Sequence, residues 1–108
     1  IDAGENQVAA MARELQEETG YAFENIYHVG KIAANPGLLN NYTHLFLATG
    51  GKKVGEQSLD HNEDIDVILM PLDQVKNMLK ENQFPQALHT CCMLYAFEKL
   101  AELKLFIK

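Results

Sequence analysis

Residues 6–20 read NQVAAMARELQEETG, and this stretch predicts a helix that ends at a glycine. Apolar residues recur at intervals of three and four positions, which places them on one face of a helix. They are Val8, Met11, Ala12 and Leu15. Gly20 stands where a left-handed residue commonly terminates a helix. We therefore expect a helix over residues 6–19 with its C-terminal cap at Gly20.

The same segment carries three carboxylates on the face opposite the apolar residues. Glu14 lies three positions before Glu17 and four before Glu18, so the side chains share one face. Like charges at this spacing destabilise a helix by about 0.2–0.5 kcal/mol per pair. A divalent cation would offset this repulsion, because Mg²⁺ prefers oxygen ligands. A solvated acidic face explains the spacing equally well, so both interpretations stay open.

Charge and length narrow the classes of function. The chain has 108 residues, enough for one domain, and its 15 acidic residues outnumber nine basic ones. The resulting net charge of −6 argues against a protein that holds a nucleic acid polymer by counterion release. No apolar run approaches the roughly 18–20 residues that a membrane span needs, and residues 1–5 show no secretion signal. We therefore expect a cytoplasmic protein with neither a nucleic acid nor a membrane as partner.

The two cysteines and two of the histidines do not by themselves indicate a functional site. Cys91 and Cys92 are adjacent, a spacing that rarely permits a disulfide, so we expect reduced thiols with at least one in the core. His28 and His44 lie singly in predicted strands, where a histidine is usually a hydrogen-bonded core or surface residue. We assign the two histidines no catalytic role.

Downstream of the first helix, the pattern predicts three strands and two helices. The strands are expected over residues 25–33, 42–49 and 64–70, and the helices over residues 71–82 and 85–103. Asn35-Pro36-Gly37 and Gly50-Gly51 read as turns, and residues 52–62 as a polar stretch. In the last helix we expect one stripe along the helix, formed by Leu88, Cys92, Tyr95, Ala96, Lys99 and Leu103. This order of helices and strands, without repeats or linkers, predicts a single α+β unit.

The acidic helix resembles the signature of the Nudix hydrolases. Glu5 is followed after seven residues by Arg13-Glu14-Leu15-Gln16-Glu17-Glu18-Thr19-Gly20, and then by Tyr21, where an aliphatic residue is commoner. Asn35-Pro36-Gly37 and residues 45–48 and 62–67 resemble the ADP-ribose pyrophosphatase-like branch of that family. The first glycine of the signature would stand two residues upstream of Ile1.

This resemblance implies a partial Nudix fold. We expect an α+β fold (an α/β/α sandwich) with the Nudix helix, a small mixed sheet and two C-terminal helices. Residues 1–108 would form a single domain, the C-terminal portion of a Nudix hydrolase domain whose N-terminal strands are absent. Uncovered apolar faces and sheet edges would favour a homodimer or association with the missing N-terminal part.

The resemblance also implies an activity, namely hydrolysis of a nucleoside diphosphate linked to another moiety, such as ADP-ribose or a nucleotide sugar. Mg²⁺ or Mn²⁺ would be the cofactor. The implied metal ligands are Glu14, Glu17 and Glu18, with Arg13 orienting the carboxylates. The implied general base is Glu63, with Asp64 and Asp66 as alternatives, and the implied substrate contacts are Pro36, Gly37 and Asn40. Other readings are a nucleoside triphosphate pyrophosphohydrolase and a non-catalytic Nudix-like binding or assembly module.

Overall fold

A computed structural model describes residues 7–33, 42–59 and 64–106 of the chain. The elements, in chain order, are α1 (Gln7–Thr19), β1 (Tyr21–Ala33), β2 (Tyr42–Lys53), α2 (Leu72–Lys80) and α3 (Ala87–Glu102). The chain divides into two compact units, the first made of Ile1–Tyr27 and Ala48–Ile68, the second of His28–Leu47 and Leu69–Lys108. The α+β class is confirmed, and β1 and β2 run through both units.

Helix α1 and its glycine cap confirm the expectation from the sequence. The Gly20 amide donates a hydrogen bond of 2.8 Å to the Gln16 carbonyl, and Gly20 has a φ of 78°. Thr19 links the helix to the strand that follows: its Oγ1 donates to the Leu15 carbonyl at 2.6 Å and accepts from the Tyr21 amide at 3.1 Å. The helix therefore ends at Gly20, and β1 starts immediately after the cap.

Both strands are longer than the sequence predicts. β1 begins at Tyr21 rather than residue 25, and β2 continues through Gly50 and Gly51 to Lys53, so a turn at these glycines was wrong. β2 continues through the two glycines because β1 lies very close to them. A Cβ on Gly51 would lie 2.7 Å from Cε1 of Phe23, and one on Gly50 would lie 2.8 Å from Cβ of Glu24. The glycines let the strands pair closely and do not reverse the chain.

The third predicted strand, over residues 64–70, is not formed. Its alternation of acidic and apolar residues is typical of a strand, but a strand also needs a neighbour for its backbone hydrogen bonds. In the described ranges the sheet has two antiparallel strands, β1 and β2, in place of the small mixed sheet expected. Ile68 and Leu69 are consequently 74% and 77% exposed.

The C-terminal helices are shorter than expected, and α3 buries a different face. Phe97 and Leu100 are buried, whereas Tyr95 of the predicted stripe is 46% exposed. The chain beyond α3 accounts for this difference, because Phe106 folds back onto Phe97 with ring centroids 5.3 Å apart. On α2, Nζ of Lys76 lies 4.9 Å from the Phe97 ring centroid. Burial at position 97 thus depends on residues outside the helix.

Helix α3 packs against the strands of its own unit. A Cβ on Gly30 would lie 3.3 Å from side-chain atoms of both Leu45 and Tyr95, and Cys92 Sγ donates to the Phe46 carbonyl at 3.9 Å. Burial raises the pKa of the Cys92 thiol, and the neighbouring Cys91 adds to this rise, although the hydrogen bond opposes it. Both cysteines are free thiols.

None of the helices in the described ranges is both long and apolar enough to cross a membrane.

Replacing Gly20 tests the cap. A Cβ at this position would collide with the Gly55 carbonyl oxygen, and the positive φ disfavours any other residue. We expect Gly20→Ala to lower the free energy of unfolding by about 1–3 kcal/mol, measured by urea denaturation. Gly55→Ala is the matched control, since its Cβ would meet nothing within 4 Å, and should change stability by less than about 0.5 kcal/mol. Equal effects of the two substitutions would contradict this account of the cap.

Candidate functional site

The charged residues of α1 lie at or near the surface. Glu14 and Glu17 are exposed and Glu18 is half-buried. Arg13 Nη1 lies 3.6 Å from Glu17 Oε1, and the two side chains are 58% and 50% exposed. An exposed pair of this kind contributes about 0.2–1 kcal/mol. Arg13 therefore offsets part of the repulsion on this face.

A groove of about 340 Å³ lies beside this helix. It is lined by Arg13, Gln16, Glu17, Gly20, Val54, Gly55, Glu56 and Ser58. Arg13 and Glu17 are thus brought together with Glu56, a carboxylate that the sequence does not single out. Glu14 and Glu18 do not line the groove. One wall comes from α1 and the other from the residues that follow β2.

Residues 54–58 bind the carbonyl end of α1. The amides of Val54 and Gly55 donate to the Gly20 carbonyl at 2.9 and 3.2 Å, and the Ser58 amide donates to the Glu17 carbonyl at 2.7 Å. The last carbonyls of a helix have no partner within the helix and need external donors. The amides of Val54, Gly55 and Ser58 are these external donors. Their hydrogen bonds also hold the two walls of the groove together at Glu17.

Gln57 adds a side-chain link to the same site. Its Nε2 donates to the Glu18 carbonyl at 2.7 Å and to the Ile65 carbonyl at 2.8 Å. Sequence reasoning missed this residue, because the polar stretch 52–62 contains no pattern that identifies which side chain turns back to the helix.

The carboxylates fit a hard cation by chemistry. Glutamate oxygens are the donors that Mg²⁺ and Mn²⁺ prefer. Across residues 7–33, 42–59 and 64–106, however, no three His, Cys, Asp or Glu side chains converge closely enough to hold a metal ion. The donor types therefore suit a divalent ion, while Glu14, Glu17 and Glu18 as positioned do not form a complete ligand set.

Four of the predicted site residues lie outside the described ranges. They are Pro36, Gly37, Asn40 and Glu63. Their assignments as substrate contacts and general base stay predictions. The alternative bases, Asp64 and Asp66, are described and are exposed. Ile65, which lies between them, is the residue whose carbonyl accepts the hydrogen bond from Gln57.

The structure joins two histidines that sequence reasoning treated singly. His28 Nε2 lies 2.9 Å from His44 Nδ1, across the pair formed by β1 and β2. Such a hydrogen bond needs one nitrogen as donor and the other, unprotonated, as acceptor. His28 also lines a second groove, of about 330 Å³, with Val29, Tyr95, Glu98, Lys99 and Glu102. The antiparallel register of the strands brings the rings together, and that register is not visible in either strand alone.

Comparison with known proteins identifies the relatives of this chain. The profile described as NUDIX domain matches residues 1–90. The chain is 34% identical over 84 residues to a methanol dehydrogenase activator of Bacillus methanolicus, covering 77% of this chain and 45% of that protein. It is 26% identical over 84 residues to an ADP-ribose pyrophosphatase of Bacillus subtilis, with the same coverage of 77% and 45%.

A solved structure shares the fold. The crystal structure of an ADP compounds hydrolase superposes with a TM-score of 0.77 at 22% identity, covering 95% of this chain and 55% of that one. At this identity the likeness concerns the fold alone. The chain spans less than half the length of the two curated relatives, at 45% of each.

Removing one carboxylate of α1 tests whether these charges oppose folding. Glu14 lies four positions before Glu18, so we expect Glu14→Gln to raise the free energy of unfolding by about 0.2–0.5 kcal/mol. The measurement is urea denaturation in a metal chelator. Glu24→Gln, which makes the same change at an exposed residue of β1, should leave stability unchanged. A loss of stability in Glu14→Gln would contradict the prediction, since it would mean that Glu14 makes a favourable contact.

Proposed function

This chain belongs to the NUDIX family, and we propose that it acts in divalent-metal-dependent hydrolysis of a nucleoside diphosphate linked to another moiety. ADP-ribose and nucleotide sugars are the substrates of this type. The observation that carries the proposal is the capped acidic helix, on which Arg13 contacts Glu17 beside a groove. A relative described as an ADP-ribose pyrophosphatase supports the substrate class.

In this proposal Glu14, Glu17 and Glu18 hold Mg²⁺ or Mn²⁺. A bound divalent ion neutralises diphosphate charge and lowers the pKa of a coordinated water. Glu17 contributes from the groove wall, and Arg13 orients its carboxylate from 3.6 Å. Glu14 and Glu18 would turn toward the ion by side-chain rotation, which is open to Glu14 because that residue is exposed. The helix supplies the ligands and its cap keeps the backbone in place.

The reaction also requires a proton acceptor and contacts to the substrate. A general base must come within hydrogen-bond reach of the attacking water. We propose Glu63 for this role, with Asp64 and Asp66 as alternatives, and Pro36, Gly37 and Asn40 as substrate contacts. Asp64 and Asp66 gain support from the hydrogen bond between Gln57 and Ile65, which ties their segment to α1.

We further propose that residues 1–108 are the C-terminal portion of one Nudix hydrolase domain. Coverage of 45% of the curated relatives and 55% of the solved structure supports this proposal. Exposed apolar side chains, above all Ile68 and Leu69, support association with a second copy or with a separate N-terminal segment. The two free thiols are compatible with a cytoplasmic location, which we propose as well.

The substrate assay compares two products in the presence of Mg²⁺. We expect AMP from ADP-ribose and no pyrophosphate from a nucleoside triphosphate, measured on this chain and on a version extended upstream of Ile1. Glu17→Gln combined with Glu18→Gln should lower kcat/KM by at least about 100-fold, the typical loss when a group that stabilises transition-state charge is removed.

The control for this assay is Glu81→Gln, which removes the charge of an exposed residue after α2 and should keep full activity. The double variant should also lose Mg²⁺ binding in a titration. Hydrolysis that persists in the double variant would contradict the proposed metal ligands, and release of pyrophosphate would indicate the nucleoside triphosphate alternative.

Association is tested by light scattering at micromolar concentration. We expect a mass above the 12.1 kDa of one chain. Replacing Ile68 and Leu69, which are 74% and 77% exposed, by serine should return the mass toward that of one chain. Leu105→Ser, at a residue that is 58% exposed, is the control and should not change it. A monomer with a cooperative thermal transition would contradict the proposed association.

A further inference from the structure

We propose that Gln57 is a positioning residue that holds residues 64–66 against the last turn of α1. Through this link it would fix Asp64 and Asp66 relative to the carboxylates of the helix. The role in turnover rests on the proposed function, whereas the link itself rests on hydrogen bonds alone. The experiment below separates the two.

The geometry uses the full donor capacity of one amide. A glutamine carboxamide carries two N–H bonds on Nε2. In Gln57 this nitrogen lies 2.7 Å from the Glu18 carbonyl, 39 positions away in sequence, and 2.8 Å from the Ile65 carbonyl, eight positions away. One side chain therefore joins the end of α1 to the segment that carries both aspartates.

The backbone around Gln57 is held independently of its side chain. On one side the Gly55 amide donates to the Gly20 carbonyl at 3.2 Å, and on the other the Ser58 amide donates to the Glu17 carbonyl at 2.7 Å. Loss of the Gln57 amide would leave these bonds in place. The substitution should consequently release residues 64–66 without unfolding α1 or the groove wall.

Residues 64–66 lie in a stretch without regular secondary structure. Residues 64–70 form no helix or strand, and the side chains of Asp64 and Asp66 are exposed. Displacement of a catalytic group by about 1 Å can reduce a rate by about 100-fold. Loss of the hydrogen bond from Gln57 to the Ile65 carbonyl should therefore displace Asp64 and Asp66 and lower the rate of hydrolysis. Metal binding on the helix should not depend on it.

Two nearly isosteric substitutions separate the hydrogen bonds from the volume of the side chain. Gln57→Glu replaces both donors by a carboxylate that would face two carbonyl oxygens, and Gln57→Met removes the polar group altogether. Gln83→Glu is the matched control, because it makes the same change of charge at another exposed glutamine. Circular dichroism and thermal melting would check that each variant is folded.

The primary measurement is a distance between spin labels within the same compact unit. Nitroxides are attached at Ala12→Cys on α1 and at Val67→Cys, in a Cys91→Ser, Cys92→Ser background and diluted with unlabelled protein. With Gln57 present we expect one narrow distance distribution from pulsed electron resonance. Gln57→Glu and Gln57→Met should broaden it, and Gln83→Glu should not. An unchanged distribution in both Gln57 variants would overturn the proposal.

The second measurement is kinetic. We expect both Gln57 variants to lose about 10- to 100-fold in kcat. KM and Mg²⁺ affinity should change little in Gln57→Met, which adds no charge beside the helix carboxylates. A broadened distribution with full kcat would overturn the role of Gln57 in turnover and leave the proposed function standing. Absence of hydrolysis in both the unsubstituted chain and the version extended upstream of Ile1 would overturn the proposed function and the role in turnover. The distance distribution would still decide whether Gln57 holds residues 64–66.

Discussion

The capping of α1 at its C-terminal end is the constraint on which the rest of the site depends. A helix that ends at Gly20 presents carbonyl groups that need donors from elsewhere in the chain. Residues 54–58 supply those donors through backbone amides and through Gln57. Because this segment continues directly from β2, the hairpin of β1 and β2 brings distant residues to the acidic face of the helix. The groove beside Glu17 is formed because residues 54–58 are bound to the end of α1.

The close packing of α1, β1 and the end of β2 explains why glycine is required at positions 20, 50 and 51. Gly20 approaches the Gly55 carbonyl so closely that no side chain fits, and Gly50 and Gly51 make room for Glu24 and Phe23. These three glycines let the helix, β1 and the end of β2 come together in one unit. Carboxylates that repel one another on α1 are thus placed on a backbone held by contacts outside the helix. A charged face can exist on α1 because the folding of the helix does not depend on that face.

Local patterns in the sequence predicted α1 well, because its apolar spacing and the glycine after it act within a few residues of each other. Predictions failed where a partner distant in sequence decides the structure. Alternation over residues 64–70 shows two faces but not whether a neighbouring strand is present to pair with. The glycines at 50 and 51 resemble a turn in sequence, because the β1 residues that they contact are more than twenty positions away. Phe97 is buried by Phe106 and Lys76, neither of which belongs to α3.

In the candidate site too, the sequence predicted the residues of a local motif and missed those placed by contacts distant in sequence. Residue types and spacing single out Arg13, Glu17 and their neighbours, because the motif is contiguous. Gln57 and Glu56 come from a polar stretch without a pattern, and the contact between His28 and His44 arises only from strand register. The acidic face of α1 is proposed to bind a divalent ion. Amide NMR signals broadened by paramagnetic Mn²⁺ would test it most directly. We predict that the strongest broadening occurs at residues 14–20 and 55–58. Strongest broadening near His28 and His44, or none at any residue, would contradict the claim.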